Sequence, residues 1–357
     1  MGGGAGRGAG GVSARAAAAT AFLASAGWGG ADSAALAGDA SPRRYWRLSG
    51  GPGGAGAVLM DADPAQGQEV GRFAAMTEWL RAQGFSAPEI LALDAGAGLV
   101  LMEDLGDALF ARVCARDAGL EHALYAAAVD ALAALQSLTP PHRVSGWGCA
   151  HTPPPYDAAT LAREARLAVE WWAPSAGAPL GEGAAAEYDA LIAQATQNAA
   201  QDRRALVLVD YHAENLLWLP SRAGVARVGL LDYQDARIGS PAYDLVSLLG
   251  DARRDVGAAA AMRAAYAATQ GADFDSEGFA RDAAALSAQR CLKILGLFAR
   301  LARRDGKPGH LAHLPRVWRV LAQDLRHPAL APLAAWVARW LPAPDAATLA
   351  RVRSLAA

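Results

Sequence analysis

The stretch from Leu206 to Asp235 constrains this chain more than any other. Leu206-Val-Leu-Val-Asp-Tyr-His-Ala-Glu-Asn-Leu-Leu-Trp-Leu219 sets two apolar arms around a polar turn that carries Asp210, His212 and Asn215. Val228-Gly-Leu-Leu-Asp-Tyr-Gln-Asp235 then supplies a further apolar run that ends in Asp232. Short apolar runs rich in β-branched residues and bounded by polar turns read as strands. The segment therefore predicts strand, turn, strand, turn, strand. Alone, its first part also reads as a plain β-hairpin, because Asp and Asn tolerate tight turn geometry. Asp232, delivered by the next run, favours a chemical reading.

Kinase-type phosphoryl transfer needs one carboxylate to accept or orient a hydroxyl proton. It also needs an amide and a second carboxylate to hold Mg²⁺ against phosphates. Asp210 and Asn215 have the D-x-x-x-x-N spacing of a kinase catalytic loop, and Asp232 stands where the metal-binding Asp of D-F-G would stand. Asp210-Tyr-His-Ala-Glu-Asn215 resembles the D-x-H-x-x-N loop of the aminoglycoside phosphotransferase and choline kinase superfamily. Within that superfamily, "DYHAENLLWLP", "GLLDYQDA" and "YDLVSLLGDARRDV" are similar to the N-acetylmuramate and N-acetylglucosamine anomeric kinases of cell-wall recycling. "GDASPRRYWRL", "LMEDLG", "LKILGLFARLARRDGKP" and "LPRVWRVLAQDL" extend the likeness over roughly residues 15 to 335.

The resemblance implies an α/β (α+β) protein-kinase-like fold with two lobes, a small antiparallel-sheet N-lobe and a large, mostly helical C-lobe. It implies an ATP-dependent kinase that phosphorylates the anomeric hydroxyl of an amino sugar to the 1-phosphate, supplying UDP-sugar synthesis in peptidoglycan recycling. ATP is the expected co-substrate and Mg²⁺ the expected cofactor. The expected organisation is a disordered Gly-rich tail over 1–12, an N-lobe over 13–105 and a C-lobe over 106–357.

Composition narrows the classes further. The chain has 357 residues, 53% of them hydrophobic, and a net charge of −2, which argues against nucleic acid or an anionic membrane as partner. Cys114, Cys149 and Cys291 are far apart and odd in number, so neither a disulfide framework nor a zinc site is expected, and a cytoplasmic setting is. No apolar run approaches the ~20 residues of a membrane helix. "RAAAATAFLASAGWGG" has the outline of a signal peptide, but its apolar part is mostly Ala. It ends in Gly27-Trp28-Gly29, a helix stop, so a short amphipathic helix carrying Phe22 and Leu23 is expected.

In the N-terminal region, Leu36 to Leu48 reads as a strand end, a small-residue turn and an aromatic strand. Gly38 to Ser41 is the candidate phosphate-covering loop, with Ser41 and either Arg43 or Arg44 as helpers; an ordinary hairpin turn is the competing reading. Gly50 to Gly56 lacks the G-K-[ST] ending of a P-loop. Ala57 to Asp61 is a third strand, and here a kinase would carry a phosphate-binding Lys. Val58, Leu59, Met60 and Asp61 stand there instead, so another cation must serve. Arg44 and Arg47 are the candidates. Strand alternation turns only one of them inward, and Arg44 is the choice. Gly67 to Gln83 reads as a helix, with Glu69 as its candidate acid. Leu99 to Gly106 resembles the adenine-binding hinge, with backbone contacts at Glu103 and Leu105.

Further on, Glu121 to Gln136 reads as a helix, His142 to Pro155 as a loop, and Asp157 to Pro174 as a helix. Glu164, Arg166 and Glu170 beside Trp171 and Trp172 read first as a packed helix with a charged outer edge; by the resemblance this region borders the acceptor, with Glu164 and Trp172 as candidates. Asp235 is a candidate for orienting substrate or metal. His212 is expected to fix the catalytic loop, and the "YDL" Asp244 to brace it. Lys293 and Arg300 read as cations on a solvated helix face, and Trp318, Trp336 and Trp340 as packing residues. Two rivals remain open: an aminoglycoside or choline kinase of the same superfamily, and a nucleotide-binding pseudokinase module suggested by the missing Lys.

Overall fold

Strand-forming runs separated by glycine-bearing turns fill the first hundred residues, and they pair into one antiparallel sheet. The computed structural model describes residues 8–36 and 42–355. It divides into two units: residues up to 108 with 142–152 and 217–235 form the first, and 109–141, 153–216 and 236 onward form the second.

In the first unit the sheet runs in the order β1-β2-β3-β5-β4. These are β1 (Asp32–Ala35), β2 (Arg44–Ser49), β3 (Ala57–Asp61), β4 (Ile90–Asp94) and β5 (Leu99–Glu103). Every pairing is antiparallel. Central β3 is buried along its whole length. One face carries Leu48, Ala57, Leu59, Leu99 and Leu101, the alternation expected of a pleated strand, and packs against Phe22 and Trp28. Those aromatics come from the end of α1 (Gly8–Ser25) and the turn after it. That turn closes as anticipated: Gly27 has φ 80°, its N–H donates to the Ala24 carbonyl at 3.1 Å, and the Trp28 N–H donates to the Leu23 carbonyl at 2.7 Å. This is the left-handed glycine cap that satisfies the last helix carbonyls. Since α1 starts at Gly8, it takes in residues 8–12 of the stretch expected to be disordered.

Helix α2 (Val70–Ala82) follows, entered three residues later than the periodicity suggested because Gly67 (φ 72°) closes a separate turn first. The segment 142–155, expected to be loop, instead contains a hairpin of β6 (Val144–Gly146) and β7 (Cys149–His151) that packs on α2. Its two-residue turn, Trp147 (φ 55°) and Gly148 (φ 72°), is left-handed at both positions, the twist a tight hairpin needs. Last in this unit are β9 (Leu216–Trp218) and β10 (Val228–Leu230), which pair with each other.

The second unit is helical: α3 (Phe110–Arg116), α4 (Glu121–Ser137), α5 (Ala158–Ala165), α6 (Ala173–Ser175), α7 (Glu182–Thr196), α8 (Ala242–Leu249), α9 (Ala259–Ala268), α10 (Ser276–Asp305), α11 (Leu314–Asp324), α12 (Ala331–Trp340) and α13 (Ala346–Ser354). Between them, β8 (Ala205–Val207) pairs antiparallel with β11 (Arg237–Gly239). The arms around Asp210 are therefore not partners in one hairpin: β8 pairs with β11 and β9 with β10. Among the described residues, Ala118–Ser137 is long and apolar enough to cross a membrane, which the sequence reading had not expected. Within this unit its Leu124, Tyr125, Val129, Leu132 and Leu135 are buried.

The helix expected over 157–174 is broken. After α5 the chain opens into a wide π-turn at Ala168–Trp172, the kind of bulge that re-aims a helix. The reason lies opposite, in α10. A Cβ on Gly296 would stand 2.0 Å from the Leu167 carbonyl carbon. Only glycine admits backbone that close. Around this contact Trp172, Tyr188, Leu292, Leu295 and Trp336 form one large core, with Trp318 and Trp340 packed on it, as their reading as packing residues anticipated. Replacing Gly296 with Ala should cost about 2 kcal/mol, in the range for overpacked cores. Urea unfolding followed by tryptophan fluorescence checks it, and an unshifted midpoint would show that the contact is not a tight one.

Candidate active site

Beyond β8 the chain reverses at Val209, whose φ of 73° is left-handed. The Asp210 N–H donates back to the Leu208 carbonyl at 2.9 Å. A three-residue turn with a positive central φ is rare and strained. For a β-branched residue the strain is on the order of 1–3 kcal/mol. Asp244 on α8 holds the turn: its Oδ2 accepts the Leu208 N–H at 2.6 Å and its Oδ1 accepts the Val209 N–H at 2.9 Å. The Ser247 hydroxyl donates to the Val209 carbonyl at 3.3 Å. Asp244 is fully buried. Burial pushes its carboxyl up to about 7; the two N–H donors and Arg290 pull the other way, and the Asp210 charge adds to the rise.

The rest of the turn is pinned from below. The buried Tyr211 hydroxyl donates to the Ala128 carbonyl at 2.8 Å. The His212 backbone carbonyl accepts the Asn215 N–H at 2.8 Å, and the His212 side chain is buried. Asn215 Nδ2 donates to the Asp210 carbonyl at 3.0 Å, which commits its amino group to the turn and leaves Oδ1 as the acceptor. Asp210 itself is half-exposed.

In the same unit, Glu164 on α5 accepts the Tyr156 hydroxyl at 2.6 Å and pairs with Lys293 Nζ at 3.1 Å. Tyr156 in turn meets the Tyr243 ring at 4.6 Å. Burial works against the Lys293 ammonium, but Tyr243, Glu164 and Asp210 outweigh it and hold its pKa above the ordinary value. Lys293 is thus a buried partner of Glu164 and not the solvated cation its helix position suggested. Trp172 follows the packed-helix reading. It is completely buried and its indole N–H donates to the Pro342 carbonyl at 2.9 Å, so it is core and offers no face to an acceptor.

The first unit carries the remaining candidates. Asp232 has φ 57°, its side chain is 44% exposed, and Gln234 Nε2 donates to its Oδ1 at 2.7 Å. The next residue points inward: the Tyr233 ring stacks on Phe73 at 5.3 Å and its hydroxyl shares a 2.7 Å hydrogen bond with Thr77. That anchor explains why 217–235 joins this unit. Asp235 is exposed and pairs with Arg72 at 3.3 Å. Glu69 is exposed as well and pairs with the same Arg72. The Glu103 N–H donates to the Glu89 carbonyl at 2.7 Å, so it is taken within the sheet. Ser41 lies outside the described residues.

Arg44, the cation expected to meet the phosphates, pairs with an acid. Its Nη2 lies 3.1 Å from Asp61 Oδ2, and Asp61 also binds Arg15 of α1. Arg47 binds Asp104 and Asp107, each at 2.6 Å. Arg43, one position before β2, stands 3.5 Å from Asp232 instead. The alternation rule had no purchase on it, because it precedes the strand.

The Asn215 amide oxygen and the Asp232 carboxylate are hard oxygen donors, the type that suits Mg²⁺. Among the described residues no cluster of three or more His, Cys, Asp or Glu could hold a metal by itself.

A model of the phosphotransferase enzyme family (APH) matches residues 32–285. The N-acetylmuramate/N-acetylglucosamine kinase of Caulobacter vibrioides is 39% identical, over 92% of this chain and 97% of that protein. The protein of the same name from Pseudomonas aeruginosa is 34% identical, over 86% and 89%. Among solved structures, a choline/ethanolamine kinase family protein from Mesorhizobium loti superposes with a TM-score of 0.56 over 95% of this chain and 99% of that one, at 16% identity. Choline kinase LicA from Streptococcus pneumoniae gives 0.51 over 81% and 94%, at 12% identity. At such identities the structural likeness concerns the fold, which is the protein-kinase-like one.

The raised Asp244 pKa has a testable sign. Below the ordinary carboxylate pKa near 4, folded and unfolded chains both hold the proton. Between there and about 7 only the folded chain holds it, so stability falls as pH rises, at up to about 1.4 kcal/mol per pH unit. Above that window the slope vanishes. Unfolding free energies of wild type and Asp244→Asn from pH 4.5 to 8 should diverge by this slope, and parallel curves would place the proton elsewhere.

Proposed function

Because the chain belongs to the phosphotransferase enzyme family, we propose that it transfers the γ-phosphoryl group of ATP to the anomeric hydroxyl of N-acetylmuramate, N-acetylglucosamine or both. The observation that carries the reading is the near-full-length likeness to the Caulobacter kinase, joined to an intact Asp210, Asn215 and Asp232 set. The product would be a sugar 1-phosphate, a precursor for UDP-sugar synthesis in peptidoglycan recycling. A cytoplasmic location suits the ATP supply and the three free cysteines.

The residues divide the labour. Asp210, held forward by the strained turn, orients the acceptor hydroxyl and takes its proton as the bond to phosphorus forms. Asn215 and Asp232 would hold Mg²⁺, which when bound neutralises phosphate charge. Asp244 keeps the turn in shape and His212 closes it. Glu164 is the acceptor-side carboxylate, and the Tyr156 and Lys293 contacts fix its direction. Leu105 is the backbone candidate for the adenine edge. Little covalent work falls to the protein in phosphoryl transfer; positioning and electrostatics supply most of the rate.

An aminoglycoside is a polycation and calls for carboxylates with charge to spare. Glu164 is already balanced by Lys293, which favours a neutral or anionic sugar.

Incubation with ATP, Mg²⁺ and each of N-acetylmuramate, N-acetylglucosamine, choline and kanamycin tests the proposal. Phosphorus NMR should report an anomeric phosphate on an amino sugar. Asp210→Ala should lower kcat about 10²- to 10⁴-fold, the range for a positioned base. Phosphate appearing on choline or kanamycin alone would overturn the substrate, and full activity in Asp210→Ala would overturn the role.

A further inference from the structure

The strand position from which a kinase Lys would reach the phosphates is filled here by buried apolar residues and by Asp61. If a nucleoside triphosphate binds beside Asp232, four or so negative charges meet a carboxylate with no strand cation to balance them. Among the described residues of the first unit, the other arginines near the sheet are tied to acids. Arg15 and Arg44 hold Asp61, and Arg47 holds Asp104 and Asp107. Arg72 holds Glu69 and Asp235, while Arg81 and Arg222 share Glu103.

Arg43 differs. Its side chain is only 13% exposed, and its Nη1 lies 3.5 Å from Asp232 Oδ1. Its Nε donates to Gln68 Oε1 at 3.1 Å. The Gln68 contact fixes one edge of the guanidinium. The other edge points at the carboxylate proposed to carry the metal. A guanidinium presented edge-on is the side chain best shaped to take two phosphate oxygens at once. The buried Tyr45 phenol lies within reach of the charges of both Arg43 and Asp232, which places all three groups in one small neighbourhood.

We infer that Arg43 is the phosphate-binding cation of this chain, standing in for the missing strand lysine, and that it holds Asp232 until a metal–nucleotide complex arrives. The exchange conserves charge. Asp232 gives up the Arg43 guanidinium for the metal, and Arg43 gives up a carboxylate for phosphate oxygens. Gln234, hydrogen-bonded to the Asp232 oxygen at 2.7 Å, keeps that carboxylate oriented as Arg43 turns away. The arrangement also removes the ground for reading the chain as an inactive relative, since the cation is displaced along the sequence, not lost.

The inference rests on the nucleotide part of the proposed function and not on the identity of the acceptor. Its test is equilibrium binding by titration calorimetry on the full chain, with MgATP, MgADP and adenosine as ligands. Arg43→Ala should weaken MgATP and MgADP about 10- to 100-fold, the range for a charge-assisted hydrogen bond, and leave adenosine unchanged. Arg43→Lys should recover part of the loss. Should the Ala variant melt early, Arg43→Gln, which keeps a polar side chain beside Gln68, takes its place. In turnover, the KM for ATP should rise while the KM for the sugar stays. Unaltered MgATP binding in a folded variant would overturn the inference, as would an equal loss for adenosine. A wild type that binds MgATP through Arg43 yet phosphorylates no amino sugar would sink the proposed acceptor and leave this inference standing.

Discussion

Two hydrogen bonds accepted by one buried carboxylate, Asp244, set the shape of the turn that leads into Asp210. Val209 occupies a conformation that its branched side chain disfavours by on the order of 1–3 kcal/mol. A hydrogen bond to a charged group contributes about 1.5–3 kcal/mol. Asp244 accepts two, from consecutive N–H groups, and so opposes the strain at the residue that carries it. The strain is what turns Asp210 outward at the end of β8. An unstrained extended residue at 209 would continue the strand and carry Asp210 along it. The brace must itself be buried to be strong, and burial is what lifts its pKa toward neutrality. Protonated, the carboxyl would put an O–H against one of the two N–H groups it now accepts. Turn geometry and proton occupancy at Asp244 are therefore one property.

The first unit shows what becomes of a position when its usual chemistry moves away. With Asp61 at the end of β3, the inner sheet has an acid where a base was expected. It is almost wholly buried, a state costly for a carboxylate unless it is paired. Arg44 from the neighbouring strand and Arg15 from α1 meet that need. The triad thereby ties the N-terminal helix to the sheet. It joins the apolar contact of Phe22 and Trp28 with Leu59 and Leu101 in holding α1 down. Arg44 and Arg15 thus share one buried acid, and the pairing that satisfies it also seats α1.

Much of this was legible in the sequence, and the failures have physical causes. The strands of the first sheet, α2, α4 and the glycine cap of α1 follow from periodicity and turn chemistry, all local signals, and the brace at Asp244 was implied by the family resemblance. What the sequence hides is long-range pairing. Nothing local says that β8 joins β11 and not β9, because strand partners are chosen across the fold. Arg43 and Arg44 are adjacent and chemically identical, and only Asp61 and Asp232, distant in sequence, separate their duties. Around Trp172 the spacing of aromatic and charged residues suits either a packed helix or a ligand platform, and the π-turn that interrupts the helix lies against Gly296, more than a hundred residues later. The hairpin at 144–151 was missed because its flanking prolines suggested only loop.

Both acidic turns use a left-handed residue, yet they are stabilised differently, and the residue types explain why. Asp is among the few side chains that visit the left-handed region at modest cost. Asp232 thus serves as its own turn residue, and one amide, from Gln234, suffices to orient it. At the other turn the strained position falls one residue before the functional one, on Val209, where no such tolerance exists. Valine belongs there for another reason: it packs with Tyr156, Tyr243 and Val246 in the core beneath the turn. The same side chain that strains the backbone secures it to α8, and α8 supplies the aspartate that relieves the strain. Replacing Val209 with glycine would remove the strain and the anchor together. The turn would lose its reason to hold one shape, and the carboxylate of Asp210 would lose its fixed direction with it.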